Sequence, residues 1–298
     1  MEIEGYSLIQ VSQQLCDGIQ IGDLKDREFP KYAPDTGFYA TLRKRVKNYF
    51  EDTKQNPKDP WPGVKRMIPL FIGAILSFIS MHDIFGWGIS FVFQLVAAVM
   101  FGLCQVLPLL HCMHDASHTA MGNNENWWKF WGRISLDGIA GGSMISWQHQ
   151  HVVGHHIYTN VYEADPDIPD SGEIRRVVWP QKWDFMYKFQ WIYLPILYGL
   201  LSIKVRIDDV FFIWWQQKNG HIRVNFYEHP AIRVIGVKSL WFAWRIALPL
   251  YLTTQTWGQF IACFMIAELV SGYWLSWNFQ VCDYIEVLNC CRRLFCII

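Results

Sequence analysis

The run from Ile84 to Leu110 carries no charged residue and ends directly on His111. A span of the bilayer hydrocarbon needs roughly 20 apolar residues, so this run can cross a membrane. The segment after it must then fold at a membrane face, and that segment is rich in histidine. Seven of the ten histidines lie between His111 and His156, in two groups. The first reads His111-Cys-Met-His114-Asp115-Ala-Ser-His118. The second reads His149-Gln-His151-Val-Val-Gly154-His155-His156.

Composition narrows the class. The chain is 52% hydrophobic and 16% aromatic, with 16 Trp, which is too apolar for an ordinary soluble enzyme and fits wide aromatic belts at membrane interfaces. Formal net charge is zero, so no overall field points to nucleic acid. The eight cysteines form no CxxC, and Cys282, Cys290, Cys291 and Cys296 crowd the last stretch. Reduced thiols facing the cytosol are expected rather than a disulfide scaffold. The N-terminus carries Glu2 and Glu4 and no basic, apolar leader, so membrane targeting is expected from internal spans.

The expected fold is all-α and integral to the membrane: two transmembrane helical hairpins, four spans in all, with interfacial helices and a cytosolic histidine-rich cap. Residues 1–66 read as a cytosolic segment. Within it, 36–56 has Phe38, Leu42, Val46, Tyr49 and Phe50 at helical spacing among Arg43, Lys44, Arg45 and Lys47. That pattern suits a helix on an anionic membrane surface or one docked on its own domain. Pro57, Pro60 and Pro62 then break the chain.

The first hairpin is Met67–Met81 and Ile84–Leu110, turning at His82 and Asp83. Lys65 and Arg66 precede it and its turn has no Lys or Arg, so the positive-inside rule puts 1–66 and His111 in the cytosol. Residues 119–147, with Gly138, Gly141 and Gly142, are expected to fold back along the interface and bring the second histidine group to the face of the first. Phe185–Ile203 reads as an interfacial helix. Ser239–Thr253 and Gly258–Trp277 form the second hairpin, and within it Arg245 and Glu268 are expected to pair or to shape a substrate path. The domain reading is thus 1–66, a membrane domain over 67–281, and a divergent tail over 282–298.

His114 and His118 are four apart, as are His151 and His155, so on helices each pair shares a face, with His156 on an adjacent one. Imidazole suits Fe, Zn, Cu and Ni. Five or more histidines exceed the needs of one four-coordinate zinc. Two metals are the economical reading, and iron is the metal of oxygen chemistry. His111 and His149 are candidates as ligand or supporting group. Asp115, Asp137, Asp165 and Asp167 are placed to accept a second ring N–H and fix tautomers. His82 falls on the wrong side of the membrane for this site, and His221 and His229 are isolated.

At these residues the chain resembles the integral-membrane fatty acid desaturases, nearest to the front-end delta-5 and delta-6 type. HDASH at 114–118 and QHVVGHH at 150–156 carry the resemblance, with YTN at 158–160 and ADPDIP at 164–169. It covers about 25–281, and HVVGHH is nearer the delta-5 branch. The resemblance implies a di-iron centre held by histidines at the cytosolic face of the endoplasmic reticulum, with His114, His118, His151, His155 and His156 as ligands. It implies oxygen-dependent desaturation of a fatty acyl lipid or acyl-CoA within membrane lipid, with electrons from a separate b-type cytochrome and a homodimer as a further partner state. A membrane di-iron hydroxylase, a ketolase or a sphingolipid desaturase shares the boxes, and a non-catalytic lipid- or partner-binding protein is the non-enzyme alternative. The family's third box, QxxHH, has no counterpart here, because nothing after His229 is histidine, and its haem motif, HPGG, is missing too, because no histidine precedes His82. The expectation is a chain clipped at both ends with weak or no activity, which two irons per purified chain would overturn.

Overall fold

The computed structural model describes residues 36–168, 174–178, 180–211, 215, 217–219, 222–223 and 230–295, with backbone alone for 109–110, 230–234 and 280–295. His221, His229 and the expected weak helix near Tyr6–Asp23 lie outside the described residues. The chain divides into two compact units, 1–48 and 49–298. A helix, α1 (Phe38–Thr53), forms where the amphipathic pattern predicts one.

Among the described residues three helices are long and apolar enough to cross a membrane: Trp61–His82, Phe91–Ser117 and Trp257–Phe279. The first, α2, begins behind Pro60 with proline in its opening turn, where the missing N–H costs nothing. It ends at Asp83, whose backbone is left-handed (φ 48°). The Asp83 carboxylate accepts the N–H groups of Trp87, Gly88 and Ile89 at 2.9–3.2 Å and builds the expected turn. The chain returns as α3 (Phe91–Pro108), packed along α2.

The expected span Ser239–Thr253 is helical to Leu252 but is not among these three. Residues 230–252 run as α10 (Pro230–Phe242), a wide π turn (Ala243–Ala247) and α11 (Leu248–Leu252), and this stretch carries Lys238 and Arg245. The final helix, α12, runs from Trp257 to Phe295 without a break, where a tail without period is expected from the sequence. Between the histidine groups and this second pair lie α8 (Gln190–Gly199), α9 (Leu201–Asp209) and one small antiparallel ribbon, β1 (Lys218–Asn219) and β2 (Ile222–Arg223).

Small residues let these helices touch. A Cβ on Gly102 would sit 2.7 Å from the Ala267 carbonyl, and one on Gly272 would sit 2.1 Å from the Gly199 carbonyl. Ser271 donates to the Gly102 carbonyl at 2.9 Å and accepts from Gln105 at 2.7 Å. Close backbone approach and interhelical hydrogen bonds are how helices associate when lipid removes the usual apolar driving force.

The bundle has two ends. At one, His82 closes α2 and meets Gln255 just before α12, with Met81, Ala98, Phe101, Cys263 and Ala267 as the apolar core. At the other, Met67 near the start of α2 packs with Cys112, Met113, Ala116, Leu136 and Met144, ringed by Trp128, Trp131 and Trp147. The histidine groups sit at this second end.

Candidate metal centre

The first group is delivered by the end of the long apolar helix. Leu109–Met113 widens into a π turn, and His114–Ser117 forms one α-helical turn, α4. His114 and His118, four apart, stand with ring centroids 4.6 Å apart, as α-helical spacing predicts.

The second group arrives by a fold-back. α5 (Glu125–Gly132), capped by the Asn124 side chain, runs into a π segment (Arg133–Ala140) that stops at Gly141. Gly141 is left-handed (φ 71°), and a Cβ there would lie 2.5 Å from the Trp241 ring. Only glycine fits both the backbone and the ring. Three carbonyls at this stop are each capped: Gly138 by Trp244 Nε1 at 3.0 Å, Ala140 by Arg206 Nε at 2.5 Å, Gly141 by Lys238 Nζ. Cations suit the negative end of a helix. The Asp137 carboxylate receives the Met144 N–H at 2.7 Å and so sets the start of α6 (Met144–Gln148). The second histidine group comes at once after it, as a π segment from His149 to His155 and the short helix α7 (His156–Tyr158).

The π turn changes which histidines meet. Its hydrogen bonds run five residues apart rather than four. His156 Nε2 accordingly lies 3.1 Å from His151 Nε2, and His118 Nε2 lies 3.2 Å from the same atom. His114, His118, His151 and His156 can each offer one nitrogen within 4.8 Å of the others. His155, expected to share a face with His151, stands outside this group. Its Nδ1 faces Asp165 Oδ1 at 3.1 Å and Asp167 Oδ2 at 3.2 Å, and these three form a second cluster of donor atoms. Asp165 is buried and also accepts the N–H groups of Asn160 and Asp167.

Other candidates separate. His149 Nδ1 bonds to the Ile145 carbonyl at 2.9 Å, and neither it nor exposed His111 belongs to the cluster. Asp115 lies 3.5 Å from His114 Nδ1 at the exposed rim. His82 lies at the opposite end of α2. Glu268 is fully buried, its carboxylate shared by Arg206 Nη1 at 2.5 Å, Arg245 Nη2 at 3.5 Å and the Ser202 hydroxyl at 2.9 Å. The expected Arg245–Glu268 pair is therefore present. Arg206 completes it, a partner that sequence reasoning misses because its chain neighbours look like an ordinary cytosolic loop. Trp147 is missed in the same way: its indole stacks on His151 at 4.5 Å and lies 5.7 Å from Phe279 of α12.

The donor set fits a metal. Two imidazole Nε2 atoms about 3 Å apart suit one ion at metal–nitrogen distances of about 2.0–2.1 Å. Burial holds the His151 imidazole down at about 3, with the neighbouring His156, His114, His118 and His155 adding to it. Desolvation, then its histidine neighbours, also lowers His118 and His156. Neutral imidazoles at physiological pH are the form that ligates metal.

Comparison with known proteins points in the same direction. The sequence profile described as fatty acid desaturase matches residues 86–288. The chain is 38% identical over 275 residues to acyl-lipid (8-3)-desaturase B of Dictyostelium discoideum, covering 91% of this chain and 57% of that protein. It is 38% identical over 273 residues to delta(5) fatty acid desaturase A of the same organism, with the same coverage of each. To the acyl-lipid (8-3)-desaturase of Mortierella alpina it is 31% identical over 287 residues, 95% of this chain and 63% of that one. The chain thus spans less than two thirds of each relative's length. No solved structure matches it.

Proposed function

Because this chain belongs to the fatty acid desaturase family, we propose that it is an oxygen-dependent front-end acyl-lipid desaturase, acting on a polyunsaturated acyl chain. The observation that carries the reading is the convergence of His118 Nε2 and His156 Nε2 on His151 Nε2, at 3.2 and 3.1 Å, with His114 beside them. In this reading His114, His118, His151 and His156 hold iron, and His155, oriented by Asp165 and Asp167, presents its other nitrogen to a second iron. When bound, a di-iron pair supplies the oxygen-activating redox chemistry that removes two hydrogens from an acyl chain.

The chain's own residues do the rest. Asp165 and Asp167 would hold the proton on His155 Nδ1 and so make Nε2 the nitrogen that ligates. Trp147 covers one face of His151 and excludes water there. Four spans are the proposed topology, with Ser239–Thr253 as the third in chain order, inside a membrane domain over 67–281. The Lys65–Arg66 end of α2 is the histidine end, while the Asp83 turn at the other end carries no Lys or Arg. That asymmetry supports histidines facing the cytosol, and the resemblance to membrane desaturases supports the endoplasmic reticulum as the membrane. A b-type cytochrome is the proposed electron donor.

Two measurements test the reading. Purified protein should contain iron that His118→Ala, His151→Ala and His156→Ala each lose. In a host fed polyunsaturated fatty acids, a new double bond near the carboxyl end is expected in the lipid products. Iron-free protein overturns the proposal, and a hydroxylated product moves it to a membrane hydroxylase.

A further inference from the structure

Helix α1 forms, yet among its described residues none is buried. Phe38, Tyr39, Leu42, Val46 and Tyr49 each keep 47–74% of their surface open. Phe50 is half-buried and meets Tyr49 edge-on, ring centroids 5.4 Å apart. Sixteen residues with one alanine make at best a marginal helix in water, because most helical stability comes from packing an apolar face. The apolar side of α1 therefore calls for a partner surface.

That side is narrow and bordered by charge. At 3.6 residues per turn the six apolar side chains fall within about 120° of arc. Arg43 lies just past the Phe50 edge of the arc and Arg45 just before its Phe38 edge, while Lys44 stands opposite. Over the whole helix four cations stand against two carboxylates, Glu51 and Asp52, both off the stripe. Long cationic side chains lay their stems along apolar surface and carry the charge outward. An aromatic and aliphatic stripe between two arginines suits the boundary of acyl chains and phosphates, where an amphipathic helix lies in the plane of the membrane. A protein groove for the same helix would have to be apolar along its floor and acidic along both rims.

The membrane is also within reach. Residues 54–60 join α1 to α2, and a tether of that length extends no further than about 27 Å. It leads to Trp61 and, one turn on, to Lys65 and Arg66, at the end of α2 proposed to face the cytosol. The cytosolic leaflet is the anionic one and attracts basic segments beside a span. The tether keeps α1 at high effective concentration near headgroups of opposite charge.

We propose that α1 docks on the anionic lipid surface of the membrane, with Phe38, Leu42, Val46 and Tyr49 in the interface and Arg43 and Arg45 on lipid phosphates. The inference rests on the proposed orientation of α2 and is independent of the iron chemistry.

The test follows amide hydrogen exchange of residues 38–53 by mass spectrometry, in the full chain held one per lipid nanodisc. Discs of phosphatidylcholine alone are compared with discs enriched in phosphatidylserine. Exchange is expected to be at least about tenfold slower on the phosphatidylserine discs. Leu42→Asp should abolish the slowing, and Arg43→Gln together with Arg45→Gln should return exchange to the phosphatidylcholine rate. Asn48→Asp adds the same charge on the polar side and should leave the rate within about twofold. All these positions are exposed, so the fold tolerates the changes. Equal exchange on the two kinds of disc overturns the proposal, whether fast, as for a free helix, or slow, as for a helix packed on its own chain. Slowing that survives Leu42→Asp overturns it, and so does slowing that needs two chains in one disc, which makes the face an interface between copies. Iron content read on the same samples decides the desaturase reading separately.

Discussion

At the residue scale the decisive atoms are imidazole nitrogens and the carboxylates behind them. Asp165→Asn keeps the shape but loses the charge facing His155 Nδ1; iron affinity should fall about 10–100-fold with the fold intact, read by metal titration. His149→Ala should retain iron where His151→Ala does not, because His149 is turned to the Ile145 carbonyl. Acid should also be felt here. His151, His118 and His156 have folded-state pKa values below the unfolded 6.5. The unfolded chain therefore takes up protons first as pH falls. Stability is full above about 6.5 and declines below it, for His151 continuing toward about 3. The melting temperature of metal-free protein should drop between pH 7 and pH 5, and a flat profile would contradict the assignment. The HDASH box is readable in full from its spacing. The second box is readable in type but not in pairing, because a four-residue spacing assumes an α-helix and the chain there is π-helical.

At the element scale the π segments and glycines do the positioning. The Arg133–Ala140 segment must stop at Gly141 for His151 to reach His118, and three side chains from α9, α10 and the turn at 243–247 grip that stop. Gly141→Ala sets a methyl into Trp241 and forces a left-handed alanine; a loss of about 1–3 kcal/mol is expected in unfolding experiments, with iron content falling alongside. The Gly138, Gly141 and Gly142 cluster is visible in the sequence as a break in an apolar stretch. Its purpose is not, since Trp241 lies far along the chain.

At the scale of the whole molecule, one buried ion cluster ties the second helical pair to the fold-back. Glu268→Gln leaves Arg245, wholly enclosed and flanked by Phe101 and Phe264, without its counter-charge. Removing one partner of such a pair costs about 3–5 kcal/mol, so a large fall in melting temperature is expected, and an unchanged one would return Glu268 to a substrate-path role. The sequence by itself determined that apolar helices deliver histidines to a membrane face, because the length of an uncharged run and the residue type at its end are local properties. It also determined that Arg245 and Glu268 need each other, since lone charges within apolar helices are costly. Only the tertiary structure decided that His156 rather than His155 meets His151, that His155 turns to Asp165 and Asp167, and that Arg206 completes the Glu268 cluster. Each of these depends on hydrogen-bond register or on contact between distant segments, and neither is written in the spacing of neighbouring residues.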